Sequence, residues 1–299
     1  MDGIINVYKE AGFTSHDVVA KLRGILKQKK IGHTGTLDPA ATGVLPVCCG
    51  KATKVCELLT DKDKSYRAVC RLGVETDTQD MTGTVLKEYD TAGIDEHQIR
   101  ECISKFVGEI QQIPPMYSAL KVNGRKLYEL AREGKVIERK PRKIVISQID
   151  LIETDLENKT FTMDVTCSKG TYIRTLCHDI GKELGIGAAM ENLVRTRVSV
   201  FDIEDALTLS DIEFLSKEEP DIFKEKVYTV DSLFDYKRLN VAGDGIRYLQ
   251  NGNTLKAKDF KQDVSDISDE EKVLVYDEND DFRAIYQKRG REFKVYKMF

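Results

Sequence analysis

Apolar and polar positions along the chain alternate with two different periods. Ile4-Ile5-Asn6-Val7-Tyr8 predicts a short strand, and after a turn at Ala11-Gly12 the residues Val18, Leu22, Ile25 and Leu26 recur at helical spacing. Thr14 or Ser15 is placed to cap that helix, with Asp17 in the first turn, where the helix dipole favours negative charge. Ile31 to Gly50 carries four glycines and two prolines among small polar residues, which predicts a structured loop. Tyr66, Ala68, Cys70 and Leu72 then share one face of a period-two segment, while Arg67 and Arg71 share the other. Helical spacing returns with Ile99, Cys102, Ile103 and Phe106, and Pro114-Pro115 ends regular structure. Lys143 to Ile152 predicts a strand whose alternation slips at Ser147; Phe161 to Cys167 alternates cleanly. A helix follows from Thr171, burying Ile173, Leu176, Ile180 and Leu184, with Arg174 in its first turn.

Strands that alternate in this way, with few helices and no βαβ series, predict an α+β fold with a largely antiparallel sheet. Asp202 to Lys226 is acidic and interrupted by Pro220, which marks a surface helical region or a domain junction. Beyond it, Val241–Leu249, Lys272–Tyr276, Phe282–Tyr286 and Phe293–Tyr296 read as short strands between Gly and Asp turns. A unit that small is marginal alone and gains from packing on a neighbour. The expected division is a large domain over residues 1–232 and a small one over 233–299.

Composition changes this picture little. The 299 residues, 41% hydrophobic and 32% charged, suit a folded globular chain. No apolar run approaches the roughly 18 residues of a spanning helix, and the N-terminus shows no export signal, so the expected compartment is the cytoplasm. Seven cysteines form no CxxC pair and the four histidines complete no zinc-like cluster, so no metal is expected and the thiols read as core residues. The net charge of −4 hides an asymmetry: Lys121 to Lys143 carries nine Lys or Arg against three Glu, and Arg283 onward carries six against one. Such stretches can form a face for nucleic acid, although a charge run is usually a solvated surface.

The candidate chemistry lies in Gly32-His33-Thr34-Gly35-Thr36-Leu37-Asp38-Pro39-Ala40-Ala41-Thr42-Gly43-Val44-Leu45-Pro46. By local geometry alone it is a rigid turn in which Asp38 caps a segment beginning at Pro39, and that bland reading outweighs a catalytic one. No phosphate-binding glycine loop, His-Glu metal helix or serine nucleophile elbow competes with it.

The segment nevertheless resembles the catalytic motif of the bacterial tRNA pseudouridine-55 synthase family. The likeness continues, in the family's order, through Lys64-Ser65-Tyr66-Arg67, Arg71-Leu72-Gly73, Thr76-Asp77-Thr78 with Asp80, Ile113 to Lys121 and Cys167 to Arg174. It implies an enzyme that isomerises uridine in the T loop of transfer RNA with no cofactor, on a mixed sheet flanked by helices. It also implies Asp38 as catalytic carboxylate, Arg174 as its bidentate partner and Tyr66 as the ring that stacks on the target base. His33 would hold or replace the everted base, Tyr172 would stand near the cleft and Leu193 would wall the base pocket. Lys9, Lys64, Lys121 and Lys169 lie in or beside matched segments and are placed to meet phosphates, as are Arg125, Lys126 and Arg132. The last unit, from Tyr236, resembles a reduced PUA RNA-binding domain, although its acidic Asp259–Asp281 stretch departs from a uniformly basic surface. The expected partner is the T-arm stem-loop of transfer RNA, met by a monomer without membrane or obligatory protein partner. The rivals are a non-catalytic RNA-binding or RNA-folding protein and a synthase acting on ribosomal or other RNA.

Overall fold

The computed structural model describes residues 1–122 and 124–299. Its centre is a ten-stranded mixed sheet. The main path runs Val227–Tyr228, Gly3–Lys9, Thr42–Cys49, Ala188–Val198, Lys64–Leu72, Thr160–Cys167, Arg142–Asp155 and Gly108–Gln112. Every pairing along it is antiparallel except that of Thr42–Cys49 with Ala188–Val198, where Val194 faces Thr42 and Arg195 faces Gly43. That seam is tight. Gly43 has φ +102°, and a Cβ there would sit 2.2 Å from the Arg195 carbonyl oxygen, so only glycine permits the approach.

Three corrections to the expected elements arise inside this sheet. The Ile31–Gly50 loop contains the strands Ile31–His33 and Thr42–Cys49. Thr42–Cys49 is buried on both faces from Gly43 onward, so it carries a continuous apolar run, Val44-Leu45-Pro46-Val47-Cys48-Cys49, and no alternation. Ala188–Val198, beside it at the sheet's centre, was not anticipated either; its pairing with Lys64–Leu72 shifts register twice, which erases any simple period. Gly108–Gln112 is an edge strand too short to announce itself.

Elsewhere the patterns translate directly. The first helix spans Ser15–Ile25, and Thr14 caps it in a reciprocal pair with Asp17. The slip at Ser147 is a register shift between Ile146 and Gln148. The helix Ile173–Leu184 buries Ile173, Leu176 and Ile180 against the sheet and ends at Gly185 in the left-handed conformation. On one side Tyr66, Ala68, Cys70 and Met163 meet this helix and Glu96–Ser104; on the other, Ser15–Ile25 and Leu209–Glu218 cover Ile5, Val7 and Leu45.

A separate five-stranded sheet follows, in the order Lys237–Asn240, Lys272–Tyr276, Phe282–Arg289, Glu292–Met298, Leu255–Lys256. Here Val241–Leu249 is not a strand: the strand ends at Asn240 and Gly245–Gln250 is helical. Ile246 and Leu249 are three residues apart, a spacing that puts both on one helix face and would put them on opposite faces of a strand. The small sheet has its own core around Tyr286 and Phe293. A further cluster joins Leu274, Tyr276 and Ile285 to Ile4, Val44, Ala52 and Leu59 of the main body.

Candidate active site

The loop after Ile31–His33 presents Asp38 and is fastened from several directions. The Leu37 N–H donates to Ser15 Oγ at 2.9 Å, Gly12 N–H to the Pro39 carbonyl at 2.9 Å, and Ala41 N–H to the Asp38 carbonyl at 3.1 Å. Arg195 NH2 donates to the Gly35 carbonyl at 3.2 Å. Lys9 Nζ donates to the carbonyls of Phe13, Pro39 and Glu10 at 2.7, 3.2 and 3.1 Å. The turn that local geometry predicts is therefore real, and it leaves the Asp38 carboxylate 43% exposed in a cleft of about 1090 Å³. Tyr66, Asp80, Lys126, Arg132, Tyr172, Arg174, Leu193 and Arg195 line the same cleft.

Arg174 is buried at the first turn of its helix, where a cation is unfavourable to the dipole without an acidic partner. It has two. Nε lies 3.1 Å from Asp38 Oδ2 and NH1 lies 3.3 Å from Asp80 Oδ2. NH1 also donates to the Thr78 carbonyl at 3.2 Å and NH2 to the Tyr117 carbonyl at 2.8 Å. The bidentate pairing expected with Asp38 is corrected to a single contact, because the terminal nitrogens are engaged elsewhere. Asp80 is in turn held by Thr78 Oγ1 at 2.8 Å, Thr82 N–H at 3.0 Å and Thr82 Oγ1 at 2.5 Å. Its part in the site was missed; the adjacent threonines, typical of a local carboxylate-binding turn, are the signal that could have found it.

Tyr66 is buried on the strand Lys64–Leu72, directly opposite Arg195 of Ala188–Val198. Burial pushes its phenol up, and the facing guanidinium works against that shift. Arg195 was also missed. It is 1% exposed, donates from Nε to the Val44 carbonyl at 2.7 Å, and has no carboxylate contact among the described residues. Nothing in its local sequence marks it; its burial follows from the parallel seam.

The lysines divide. Lys9 is fully buried, so its expected phosphate contact is corrected to a structural role in holding the carbonyls around the Asp38 loop. Lys64 reaches the cleft wall but turns its Nζ to the Thr60 and Lys62 carbonyls at 2.7 and 2.6 Å, so its expected phosphate contact is corrected in the same way. Burial lowers each of these two ammonium groups to about 8. Lys169 is exposed on the cleft wall and pairs with Asp61 at 2.7 Å. Lys121 is exposed on the short strand Lys121–Val122 and does not line the cleft.

His33 is half-buried and packs edge-on against His16, with ring centroids 5.3 Å apart. Its Nδ1 accepts from Gly35 N–H at 3.3 Å, and burial lowers its pKa, as do His16 and Arg195. His16, not His33, lines the cleft. Tyr172 has its backbone clamped to the Gln112 side chain by bonds of 2.8 and 3.0 Å, and Leu193 is buried across from Ala68. Among the described residues no group of three or more His, Cys, Asp or Glu is placed to hold a metal ion.

The family model described as TruB family pseudouridylate synthase (N terminal domain) matches residues 23–173, and the tRNA pseudouridylate synthase B C-terminal domain matches 174–234. The tRNA pseudouridine synthase B of Lachnoclostridium phytofermentans is 52% identical over 295 residues, covering 96% of this chain and 95% of the relative. That of Clostridium tetani is 46% identical over 298 residues, covering 100% and 99%. Among solved structures, a chain of a Cbf5-Nop10-Gar1 complex superposes with a TM-score of 0.74 at 28% identity, covering 99% of this chain and 84% of that one. A chain of an H/ACA RNP bound to a substrate RNA containing 2'-deoxyuridine gives 0.73 at 26%, again covering 99% and 84%.

Proposed function

The chain belongs to the TruB family of pseudouridylate synthases, and on that premise we propose that its cleft isomerises the uridine at position 55 in the T loop of transfer RNA. The observation that carries the reading is the Asp38 carboxylate, exposed on a rigid turn and held by Arg174 Nε at 3.1 Å.

The reaction breaks the bond from ribose C1′ to uracil N1 and forms one from C1′ to C5. The C5 proton is lost and N1 gains one, so atoms balance without an oxidant or reductant. In the proposed mechanism Asp38 attacks C1′ or C6, or removes the C2′ proton; one ionised carboxylate at this place serves each route. Arg174 fixes which oxygen of Asp38 faces the substrate, and its remaining nitrogens are braced by Asp80 and two carbonyls so that it cannot swing away. Tyr66 offers a flat π face that tolerates base rotation and a phenol for a late proton transfer. Leu193 and Tyr172 bound the space for the everted base, and His33 acts through its contact with His16.

Base eversion costs a few kcal/mol, which contacts to the folded stem-loop must supply. Lys126, Arg132 and Lys169 on the cleft wall are the cations available for that. The proposed enzyme acts as a monomer without an obligatory protein partner, a reading compatible with the main body, the five-stranded C-terminal unit and the basic arm lying on one chain. Its cysteines are all unpaired, which suits the reducing cytoplasm.

Incubation of the protein with unmodified transfer RNA, followed by position-resolved mapping of pseudouridine, tests the reading. Product at the T-loop uridine is expected, lost in both Asp38→Ala and Asp38→Asn. Product that persists in both variants removes Asp38 from its role; product elsewhere removes the assigned position.

A further inference from the structure

The seven cysteines are of two kinds: six are buried, and Cys56 alone is not. Cys70 and Cys177 are hydrogen-bonded to one another, yet both are fully enclosed between the sheet and the helix Ile173–Leu184, where no solute reaches them. Cys49 points to the opposite side of its strand from Cys48 and joins a different core cluster. Cys48 and Cys56 are left, one at the centre of the sheet and one partly exposed. The proposed chemistry uses neither.

Their meeting point is Gly32. It stands directly opposite Cys48 where Ile31–His33 pairs with Thr42–Cys49, so the Cys48 side chain leaves the sheet on the face where Gly32 has none. A Cβ at Gly32 would lie 3.6 Å from Cys56 Sγ, so the second thiol lies over the same spot. The two side chains pack in one cluster and share a hydrogen bond. That bond, given by Cys48, lowers the Cys56 thiol below its usual range and, together with burial, raises Cys48. The accessible sulfur is thus the one that ionises first, as a nucleophile toward an oxidant must be, and the buried one is placed to resolve it. Cys56 also opens the helix Cys56–Thr60, which steadies the catalytic loop. Thr60 Oγ1 lies 2.7 Å from the Cys56 carbonyl oxygen and 2.8 Å from that of Thr34, at the head of the Asp38 turn.

We propose that Cys56 and Cys48 are a peroxide-responsive pair whose reversible disulfide draws the helix Cys56–Thr60 away from Thr34 and so loosens the Asp38 loop. The Cys56 thiolate attacks one oxygen of hydrogen peroxide; the O–O bond breaks, a sulfenic acid forms and hydroxide leaves, taking up the proton that the thiol released. The Cys48 sulfur then attacks Cys56 Sγ, its proton joins the departing hydroxyl, and water leaves as the S–S bond closes. Two thiols and one peroxide give one disulfide and two waters, the sulfurs oxidised and the peroxide reduced by two electrons. A disulfide holds its sulfurs about 2.05 Å apart, well inside the contact distance of two thiols. Cys48 lies in a strand buried on both faces, so the helix is the part that moves, and the 2.8 Å contact from Thr60 to Thr34 is the first to stretch. The effect on turnover rests on Asp38 being the catalytic carboxylate; the formation of the bond does not.

The full chain is treated with hydrogen peroxide, denatured in excess alkylating reagent and mapped by mass spectrometry. Two of the seven thiols are expected to disappear into a Cys48–Cys56 linkage that dithiothreitol reverses. Cys48→Ala is expected to stop at a Cys56 sulfenic acid that dimedone traps, and Cys56→Ser to lose no thiol. Turnover of an unmodified T-arm stem-loop should fall about 10-fold in the oxidised parent, as a displaced catalytic loop requires, and return with dithiothreitol. Peroxide-treated Cys56→Ser should keep the turnover of its untreated form. No linkage, a linkage between other cysteines, or a linkage that leaves turnover unchanged overturns the switch, as does an equal loss of turnover in treated Cys56→Ser. If the buried Cys48→Ala variant does not fold, Cys56→Ser decides alone, because it removes the attacking sulfur at a partly exposed position. The linkage is scored without RNA, so its absence leaves the catalytic reading standing, whereas a reduced parent that forms no pseudouridine overturns that reading and not the linkage.

Discussion

Arg174 meets Asp38 through Nε alone, at 3.1 Å, while its terminal nitrogens are committed to Asp80, Thr78 and Tyr117. The guanidinium is thus the rigid middle of a chain of contacts from the Thr78–Thr82 turn to the Asp38 carboxylate. A lysine has one nitrogen at the end of a flexible stem and cannot keep all four contacts.

Arg174→Lys is therefore expected to lower kcat about 100-fold through misplacement of Asp38, with RNA affinity nearly unchanged. Single-turnover kinetics beside equilibrium binding check this. Equal losses in both would return Arg174 to a general binding role.

Tyr66→Phe keeps the ring and removes the phenol. If the hydroxyl transfers a proton, turnover falls about 100-fold while the affinity for transfer RNA holds. Turnover near the parent's would confine Tyr66 to stacking.

Lys9 has a pKa lowered by burial, from the ordinary lysine value of 10.5 to about 8. Between those values the unfolded chain keeps a proton that the folded one has released, so the stability contributed by this site rises with pH from about 8 to 10.5. Below about 8 both states are protonated and that contribution is absent. Lys9→Met removes the titration, so the stability of the parent relative to the variant should increase between pH 8 and pH 10. Urea unfolding at the two pH values measures it; a constant or shrinking difference contradicts the assignment. The variant also loses the three carbonyl bonds around the Asp38 loop and should lose turnover before it loses RNA affinity.

Gly43→Ala drives a Cβ toward the Arg195 carbonyl at 2.2 Å and strains a backbone at φ +102°. The expected cost is more than about 2 kcal/mol, the range of overpacking and backbone strain combined. Denaturant titration reads the loss. A neutral result would mean that the seam between Thr42–Cys49 and Ala188–Val198 can open without cost.

The amino-acid sequence by itself determined the elements that meet water on one face. Tyr66–Leu72 and Phe161–Cys167 alternate because only one side of each is covered, and the slip at Ser147 survives as a register shift. It also determined the Asp38 turn, since glycines and Pro39 constrain the backbone locally, and the resemblance of five separated segments supplied the chemistry. Tertiary structure alone decided the centre of the sheet. Thr42–Cys49 and Ala188–Val198 have lost the period that exposes a strand to recognition, the first through burial on both faces and the second through its register shifts. It likewise decided which charges face the cleft. Lys9 is expected to meet phosphates yet lies inside the protein, and Asp80 becomes the second partner of Arg174 across 94 residues of chain. Burial and pairing at that separation depend on which strands lie side by side, and no local pattern of side chains encodes that.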